Sequence, residues 1–345
     1  MSRLTTHRIK LFIILVTLSV LVGLVENYFT YPSNENGSSF NNYFVRDLSG
    51  WIVGSTMLWS FELFFIPSRL GIVFRRMHFL SAIIVKSLVV AVIVASAAII
   101  TGYVFKGEFN TVFFTQSHFT RILTIVFILI IVLQTATQVV RIIGANTLLN
   151  IMLGKYRQPV HEDKIFMILD ITGSTALAEK LGDLGVQSML NKFFFDITDP
   201  ILEHGGEIYR YVGDQVIVTW DLKTGPINMR VIRCCFAINK LIMTKSHEYQ
   251  RTFGMVPSFR IGLHGGPVVM GQCGDQKQEI SYFGDTINTA ARIEHQCKAL
   301  DCSLVISSEL LNRISLTDDY KAERLATVQL RGRQVETELF TIKAV

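Results

Sequence analysis

The sequence predicts an α-helical transmembrane bundle followed by an α/β (α+β) domain with a ferredoxin-like centre, in which helices cover a mixed sheet. Two observations predict this division. Roughly the first 150 of the 345 residues hold long apolar runs with few charges, whereas the remainder alternates charged and apolar residues as a soluble domain does. In that remainder the predicted elements follow the order strand, helix, strand, strand, helix, strand. We therefore expect a four-span transmembrane domain over residues 1–144, a helical linker over 145–163 and a cytosolic domain over 164–345.

Four apolar runs approach the length of about 20 residues that a helix needs to cross a bilayer. They lie at residues 11–25, 51–66, 80–104 and 122–143. A cleavable signal peptide is the alternative for the first run, but no small-residue cleavage site follows it and three more runs do. We therefore expect four spans, with membrane lipid as their surroundings.

Basic residues predict how these spans are oriented, because positive charge accumulates on the cytosolic side. They lie before the first run, between the second and third, and at the end of the fourth: Arg3, Arg8, Lys10, Arg69, Arg75, Arg76 and Arg141. Both chain termini are therefore expected in the cytosol, as in a multi-pass protein of the inner or plasma membrane. What such a bundle would bind is open, and a small unknown ligand is one possibility.

Two ionisable residues lie within the apolar runs. Glu62 and Lys86 are each one to two helical turns from the predicted cytosolic end of their spans. Their similar depth favours an ion pair that hides both charges from lipid, and the alternative is a ligand-binding or proton-sensing site.

Charge and cysteine content exclude two classes of function. The net charge of +5 arises in the apolar part, so the second part has no basic excess to bind nucleic acid. Its five cysteines show no metal-site spacing and are expected to be reduced thiols in the cytosol. They are Cys234, Cys235, Cys273, Cys297 and Cys302.

The second part reads as alternating strands and helices. A Gly-Asp pair at 213–214 between two alternating runs predicts a tight hairpin, and Gly205–Gly206 ends the helix before it. Ser174 or Thr175 is expected to cap that helix. The predicted strands are 164–169, 207–211, 215–220, 258–263 and 268–273, and the predicted helices are 174–204, 227–248 and 284–300.

Two aspartates are expected to converge at one edge of this sheet. Asp170 ends the first strand and Asp214 lies in the hairpin turn, positions that the topology places side by side. Paired carboxylates suit Mg²⁺ or Mn²⁺, which prefer oxygen ligands. The adjacent run Ile171, Thr172, Gly173, Ser174 opens a helix, where backbone N–H groups can bind phosphate. Either aspartate alone is more often a turn or capping residue, but their joint placement favours a metal site.

Four runs in this part resemble the catalytic domain of class III nucleotide cyclases. They are FMILDITGST at 166–175, YVGD at 211–214, RIGLHGGPV at 260–268 and YFGDTINTAAR at 282–292. The likeness extends over nearly all of the predicted cytosolic domain. It implies a homodimer whose active sites are shared between the two subunits.

The resemblance also implies roles for individual residues. Asp170 and Asp214 would bind two Mg²⁺ or Mn²⁺ ions in each site, with the Ile171 carbonyl as a further ligand. Asn288 would orient the ribose, and Arg292 would stabilise the charge that develops on phosphate in the transition state. Gly173, Ser174 and Thr175 would contact phosphate.

Three further positions would contact ATP. Arg210 and Ser281 stand where adenylyl cyclases of this family usually have a Lys and an Asp that select adenine. A cationic donor and a hydroxyl can satisfy adenine N1 and N6, whereas guanine would present donors to Arg210. Arg331 stands in place of a triphosphate-binding Lys, with Arg333 as an alternative.

The expected function is thus that of a membrane-bound adenylate cyclase, which forms 3′,5′-cyclic AMP and pyrophosphate from ATP. The alternatives are a guanylate cyclase and a catalytically weak receptor that binds nucleotide. A diguanylate-forming enzyme is disfavoured, because the hairpin lacks the Gly-Gly-acid-acid run that such enzymes need.

Overall fold

The computed structural model describes most of the chain in two compact units, Met1–Leu148 and Leu149–Val345. The described residues are 3–30, 37–66, 68, 70–71, 73–74, 77–106, 124, 127–128, 131–132, 135–136, 139–140, 143–276, 278–329 and 336–345. Arg69, Arg75, Arg76, Arg141 and Arg331 lie outside them.

The described residues of the first unit are mostly helical, with turns and bends at 66, 68, 70–71 and 77. Its helices are α1 (Arg3–Thr30), α2 (Gly37–Ser60), a π-helical turn (Phe61–Phe65) and α3 (Phe79–Lys106). The described residues between 124 and 140 are also helical.

Two described helices are long and apolar enough to cross a membrane, over Arg8–Glu26 and Leu80–Val104. The expected bundle of four spans is therefore not confirmed. The first half of α2 is polar, and its apolar second half ends in the π-helical turn that contains Glu62. The fourth predicted run lies largely outside the described residues.

The predicted ion pair between the apolar runs is confirmed. Lys86 Nζ lies 3.2 Å from each carboxylate oxygen of Glu62, and Lys86 is only 6% exposed. Two further polar contacts join α1 to α2: Trp51 Nε1 donates to Glu26 Oε2, and Trp59 Nε1 donates to Ser19 Oγ, each at 3.0 Å. Such bonds stabilise helix packing where apolar surroundings offer no other partner.

The second unit is the predicted mixed sheet covered by helices. Its strands are β1 (Val160–Ile171), β2 (Glu207–Val212), β3 (Gln215–Asp221), β4 (Phe259–Cys273), β5 (Glu279–Phe283), β6 (Leu304–Ser307), β7 (Tyr320–Val328) and β8 (Thr337–Ala344). Its helices are α4 (Ala145–Met152, shared with the first unit), α5 (Ser174–Glu203), α6 (Arg230–Thr244), α7 (Ser246–Phe253), α8 (Asp285–Ala299) and α9 (Ser308–Leu311).

The strands lie in the order β2-β3-β1-β4-β6-β8-β7, and β5 pairs with β4 outside this path. β1 is antiparallel to both β3 and β4, whereas β4 and β6 are parallel. The central position of β1 explains its continuous apolar sequence, since both of its faces are covered.

The two faces of β1 belong to different parts of the core. Ile165, Met167 and Leu169 pack with residues of α5 and α6, whereas Phe166 and Ile168 pack with Ala290 of α8. This alternation follows from the two-residue period of a strand. The sheet therefore has helices on both faces, as predicted.

Several predicted boundaries are wrong. The strands expected at 258–263 and 268–273 form one strand, β4, and the helix expected at 227–248 is a short 3₁₀ turn followed by α6 and α7. The N-cap of α5 is Gly173, in the left-handed conformation, rather than the predicted Ser174. The side chain of Thr175, the other predicted cap, lies outside the described residues. Strands β5 to β8 and helix α9 were not predicted.

Glycine explains why the run at 262–266 is a strand rather than a turn. A Cβ atom on Gly262 would lie 2.4 Å from the backbone N of Glu294, and one on Gly266 would lie 2.9 Å from Thr286 Oγ1. Helix α8 therefore packs directly on the backbone of β4. His264 is buried in this strand, with Nδ1 2.8 Å from Ser307 Oγ.

Candidate active site

Asp170 and Asp214 lie side by side at one edge of the sheet. Asp170 is the next-to-last residue of β1 and pairs with Gln215, the residue that follows Asp214. Gly213 has a φ of 61°, which allows the tight β2–β3 turn that presents Asp214. Burial raises the pKa of Asp170, and the negative charge of Asp214 raises it further. We call this pair the metal edge.

A third carboxyl group lies near the metal edge, and the sequence analysis missed it. Glu294 of α8 is 2% exposed, and its Oε2 has no hydrogen-bond partner among the described residues. The imidazole Nδ1 of His295 lies 3.5 Å from Oε2. Burial and the negative charge of Asp170 raise the pKa of Glu294 to about 7, with a smaller contribution from Asp214.

The donor set of the metal edge suits a hard divalent cation. Burial disfavours the charged form of Asp170, and repulsion from Asp214 adds to this, so the pKa of Asp170 is raised and a bound cation would relieve both effects. Among the described residues no group of three or more His, Cys, Asp and Glu side chains is arranged to hold a metal by itself. A bound ion would therefore take further ligands from backbone oxygen, substrate phosphate or water.

The predicted phosphate-binding segment opens helix α5. Gly173 has a φ of 72°, and the space beside its Cα is open to 4 Å. The first N–H groups of a helix have no intrahelical acceptor, so those of Ser174 and Thr175 are free of the helix ladder. The N–H of Thr172 instead donates to the carbonyl of Ser258 at 2.9 Å, which removes it from the predicted cradle.

Asn288 and Arg292 lie one turn apart on α8, on the side that faces away from the sheet. The Asn288 side chain is exposed and donates from Nδ2 to the Gly284 carbonyl at 3.2 Å. Arg292 Nη1 lies 3.5 Å from Asp285 Oδ1 on the same helix. Both side chains are therefore held by their own helix and remain accessible to a second molecule.

Arg210 lies on β2, four residues before Asp214, and Ser281 lies on β5, which pairs with β4. Arg210 of β2 forms an ion pair with Glu279 of β5, two residues before Ser281. The Tyr209 ring packs edge-on against Tyr282 with ring centroids 4.7 Å apart. These contacts bring the two predicted base-selecting residues together. The ion pair with Glu279 was not predicted.

Asp170 and Ser281 pair with different parts of β4. Asp170 lies opposite Arg260, and Ser281 lies opposite Gly271, eleven residues further along the strand. The strand bends between these positions, since the ring centroids of Tyr282 and of Phe166 on β1 are only 5.2 Å apart.

Comparison with known proteins relates this unit to one family. The family described as "Adenylate and Guanylate cyclase catalytic domain" matches residues 157–344. Adenylate cyclase 2 of Rhizobium meliloti strain 1021 is 38% identical over 203 residues, which are 59% of this chain and 56% of that protein. An adenylate cyclase of Anabaena cylindrica is 25% identical over 181 residues, which are 52% of this chain and 36% of that protein. The chain thus covers about half or less of these relatives.

A solved structure shows the same fold. A bacterial light-regulated adenylyl cyclase superposes with a TM-score of 0.53 and 25% sequence identity, covering 61% of this chain and 62% of that one. Guanylate cyclases are also among the relatives: a receptor-type guanylate cyclase of Caenorhabditis elegans is 30% identical over 130 residues, 37% of this chain and 12% of that protein. The similarity therefore extends to cyclases of both purine nucleotides.

Proposed function

Because the chain belongs to the family of adenylate and guanylate cyclase catalytic domains, we propose that it is a membrane-bound adenylate cyclase that acts as a homodimer. It converts ATP to 3′,5′-cyclic AMP and pyrophosphate. The two apolar helices over Arg8–Glu26 and Leu80–Val104 support the membrane attachment.

The observation that carries the proposal is that Asn288 and Arg292 contact neither aspartate of the metal edge among the described residues. They are held by Gly284 and Asp285 at the start of their own helix and are accessible to a second molecule. In the proposed head-to-tail dimer the metal edge of one chain faces Arg210, Ser281, Asn288 and Arg292 of its partner copy. Two equivalent sites result, and each contains one complete set of residues.

The proposed reaction exchanges one bond for another at the α-phosphorus. The ribose 3′-oxygen attacks, the bond from O3′ to the α-phosphorus forms, and the bond to the departing pyrophosphate breaks while O3′ loses its proton. Arg292 binds the phosphate oxygens, where negative charge increases, and must leave Asp285 to do so. Asn288 holds the ribose. The helix N–H groups after Gly173 bind the triphosphate.

Asp170 and Asp214, with the Ile171 carbonyl, would hold two Mg²⁺ or Mn²⁺ ions. When bound, such ions make the attacking hydroxyl more acidic and neutralise the leaving group. The like charges at the metal edge support this assignment.

The base-selecting residues favour ATP. Arg210 donates hydrogen bonds and Ser281 can accept or donate one, which matches N1 and N6 of adenine. The N1–H of guanine would face the donors of Arg210. The partner of Arg210, Glu279, is an acceptor that could receive the adenine amino group but could also receive guanine donors. GTP is therefore the second candidate substrate.

Turnover of the purified full-length protein tests the proposal. ATP and GTP are compared in parallel, each with Mn²⁺ and with Mg²⁺. Cyclic AMP from ATP alone is the expected result, and cyclic GMP from GTP would leave the chemistry intact but overturn the base assignment. No product from a folded dimer would favour a receptor that binds nucleotide without turnover.

The shared site has its own test. Asp170→Ala and Arg292→Ala each remove one half of every homodimeric site and should abolish turnover. Mixed heterodimers contain one intact site, so about a quarter of wild-type activity is expected if the chains pair at random. No recovery from two folded, dimer-competent variants would refute the shared arrangement.

A further inference from the structure

Tyr156 is a buried aromatic residue in the segment through which the chain enters the second unit. It is 3% exposed and lies four residues before β1. Its ring packs with Met270 of β4 and Ile280 of β5, and the partly buried Val160 and Tyr282 complete this cluster. The cluster is separate from the two cores that flank β1.

Both ends of Tyr156 are also held by hydrogen bonds. Its carbonyl accepts from Gln272 N at 3.0 Å, which attaches the entering segment to the end of β4. Its hydroxyl donates to Glu162 Oε1 at 3.2 Å and accepts from Asn150 Nδ2 at 3.4 Å. Lys155 also donates to Glu162 Oε1, at 2.7 Å. The position of Tyr156 is thus fixed relative to β1, β4 and β5.

The same strand, β5, carries one of the two base-selecting residues. Ile280 and Tyr282 share one face of β5, and Ser281 between them faces the other way. The Tyr209 hydroxyl donates to the Ile280 carbonyl at 3.3 Å, and Arg210 is the next residue along β2. Displacement of Ile280 would therefore change the spacing between Ser281 and Arg210.

We propose that Tyr156 is a positioning residue for purine recognition: by filling the space behind Ile280 it sets Ser281 relative to Arg210. This inference rests on the proposed function, which places the purine between those two residues.

The test compares Tyr156→Ala with a matched substitution, Tyr249→Ala, in the full-length protein. Tyr249 is equally buried but packs among α5, α6 and α7. For Tyr156→Ala we expect the KM for ATP to rise about ten-fold and the ratio of kcat/KM for ATP over GTP to fall, with kcat changed less than about two-fold. Tyr249→Ala should lower stability without moving that ratio. Tyr156→Phe keeps the ring and should therefore keep the wild-type ratio of kcat/KM for ATP over GTP.

Three outcomes would overturn the inference. The ratio of kcat/KM for ATP over GTP could be unchanged in Tyr156→Ala, it could change equally in Tyr249→Ala, or Tyr156→Ala could lower only kcat. If Tyr156→Ala fails to fold by circular dichroism, Tyr156→Leu is measured in the same way. Leucine leaves part of the cavity empty, so a smaller shift of the same sign is expected, and no shift overturns the inference.

Failure of the proposed function would be distinguishable. If the wild-type protein forms no cyclic nucleotide, the affinities for non-hydrolysable ATP and GTP analogues are measured by competition with a fluorescent nucleotide. A wild-type preference that Tyr156→Ala removes would support the positioning role without turnover. A preference that survives the substitution, or absence of binding to either analogue, would refute it.

Discussion

The pH dependence of stability gives a direct test of the buried carboxyl group near the metal edge. Burial and the charge of Asp170 raise the pKa of Glu294 to about 7 in the folded protein, against an ordinary value of 4.5 in the unfolded chain. The folded state therefore holds this proton over a range in which the unfolded state has released it. The stabilisation is complete below pH 4.5 and is lost as pH rises through 7.

The magnitude follows from the interval between the two pKa values. About 2.5 pH units at about 1.4 kcal/mol per unit amount to about 3.5 kcal/mol. Glu294→Gln keeps the shape of the protonated side chain and removes the titration. At pH 4.5 the variant and the wild type should have similar stability, whereas at pH 8 the variant should be more stable by up to about 3.5 kcal/mol. That corresponds to about 7–14 °C in Tm for a domain of this size.

Thermal unfolding of the full chain is followed by circular dichroism from pH 4.5 to 8.5, with divalent cations removed by chelation. Titrating groups that do not interact with Glu294 change both curves alike, so the difference between variant and wild type reports Glu294 and its coupling to Asp170. An exposed glutamate, Glu203, serves as the control, and Glu203→Gln should follow the wild type at every pH. Parallel curves for Glu294→Gln and the wild type would refute the reasoning.

Three other substitutions test features of the fold. Asp196→Ala should lower the free energy of unfolding in urea by about 3–5 kcal/mol, because this buried carboxylate accepts hydrogen bonds from Lys192, Lys245 and Tyr249. A loss below about 1 kcal/mol would mean that the network is not cooperative. Gly262→Ala should lower both Tm and turnover, because its Cβ would lie 2.4 Å from the backbone of α8; unchanged activity would show that the helix can shift freely. In the first unit, Glu62→Ala alone should lower the Tm in detergent more than Glu62→Ala combined with Lys86→Ala, because the single substitution leaves the buried charge of Lys86 without its partner. Equal effects would contradict the pairing.

Local sequence signals predicted the metal edge because its two aspartates are brought together by short-range structure. A buried strand of five apolar residues and a Gly-Asp hairpin suffice to place Asp170 beside Asp214. The ion pair of Glu62 and Lys86 was predictable for a similar reason, since depth along a helix can be counted directly from the sequence.

Other parts of the site depend on packing that no local pattern reports. Glu294 lies two residues after Arg292, and its sequence position is that of an ordinary charged residue on an amphipathic helix. Its burial follows from the close contact of α8 with Gly262, which no local pattern predicts. Glycine and proline at 265–267 predicted a turn, but the glycines instead allow helix contact along a continuous strand. Strand β5 is short and carries the polar residues Glu279 and Ser281, so its sequence gives little strand signal.

The unbroken strand β4 also restricts how the gene can change. A single inserted or deleted codon between Arg260 and Gly271 would turn every later side chain of the strand to the opposite face. Val268 and Met270 would then no longer face the core. Length changes are therefore excluded from this stretch, although individual side chains in it can vary. The exposed bend at Gly182, near the solvent-facing Leu184, has no such restriction. It is the better place to insert a reporter sequence.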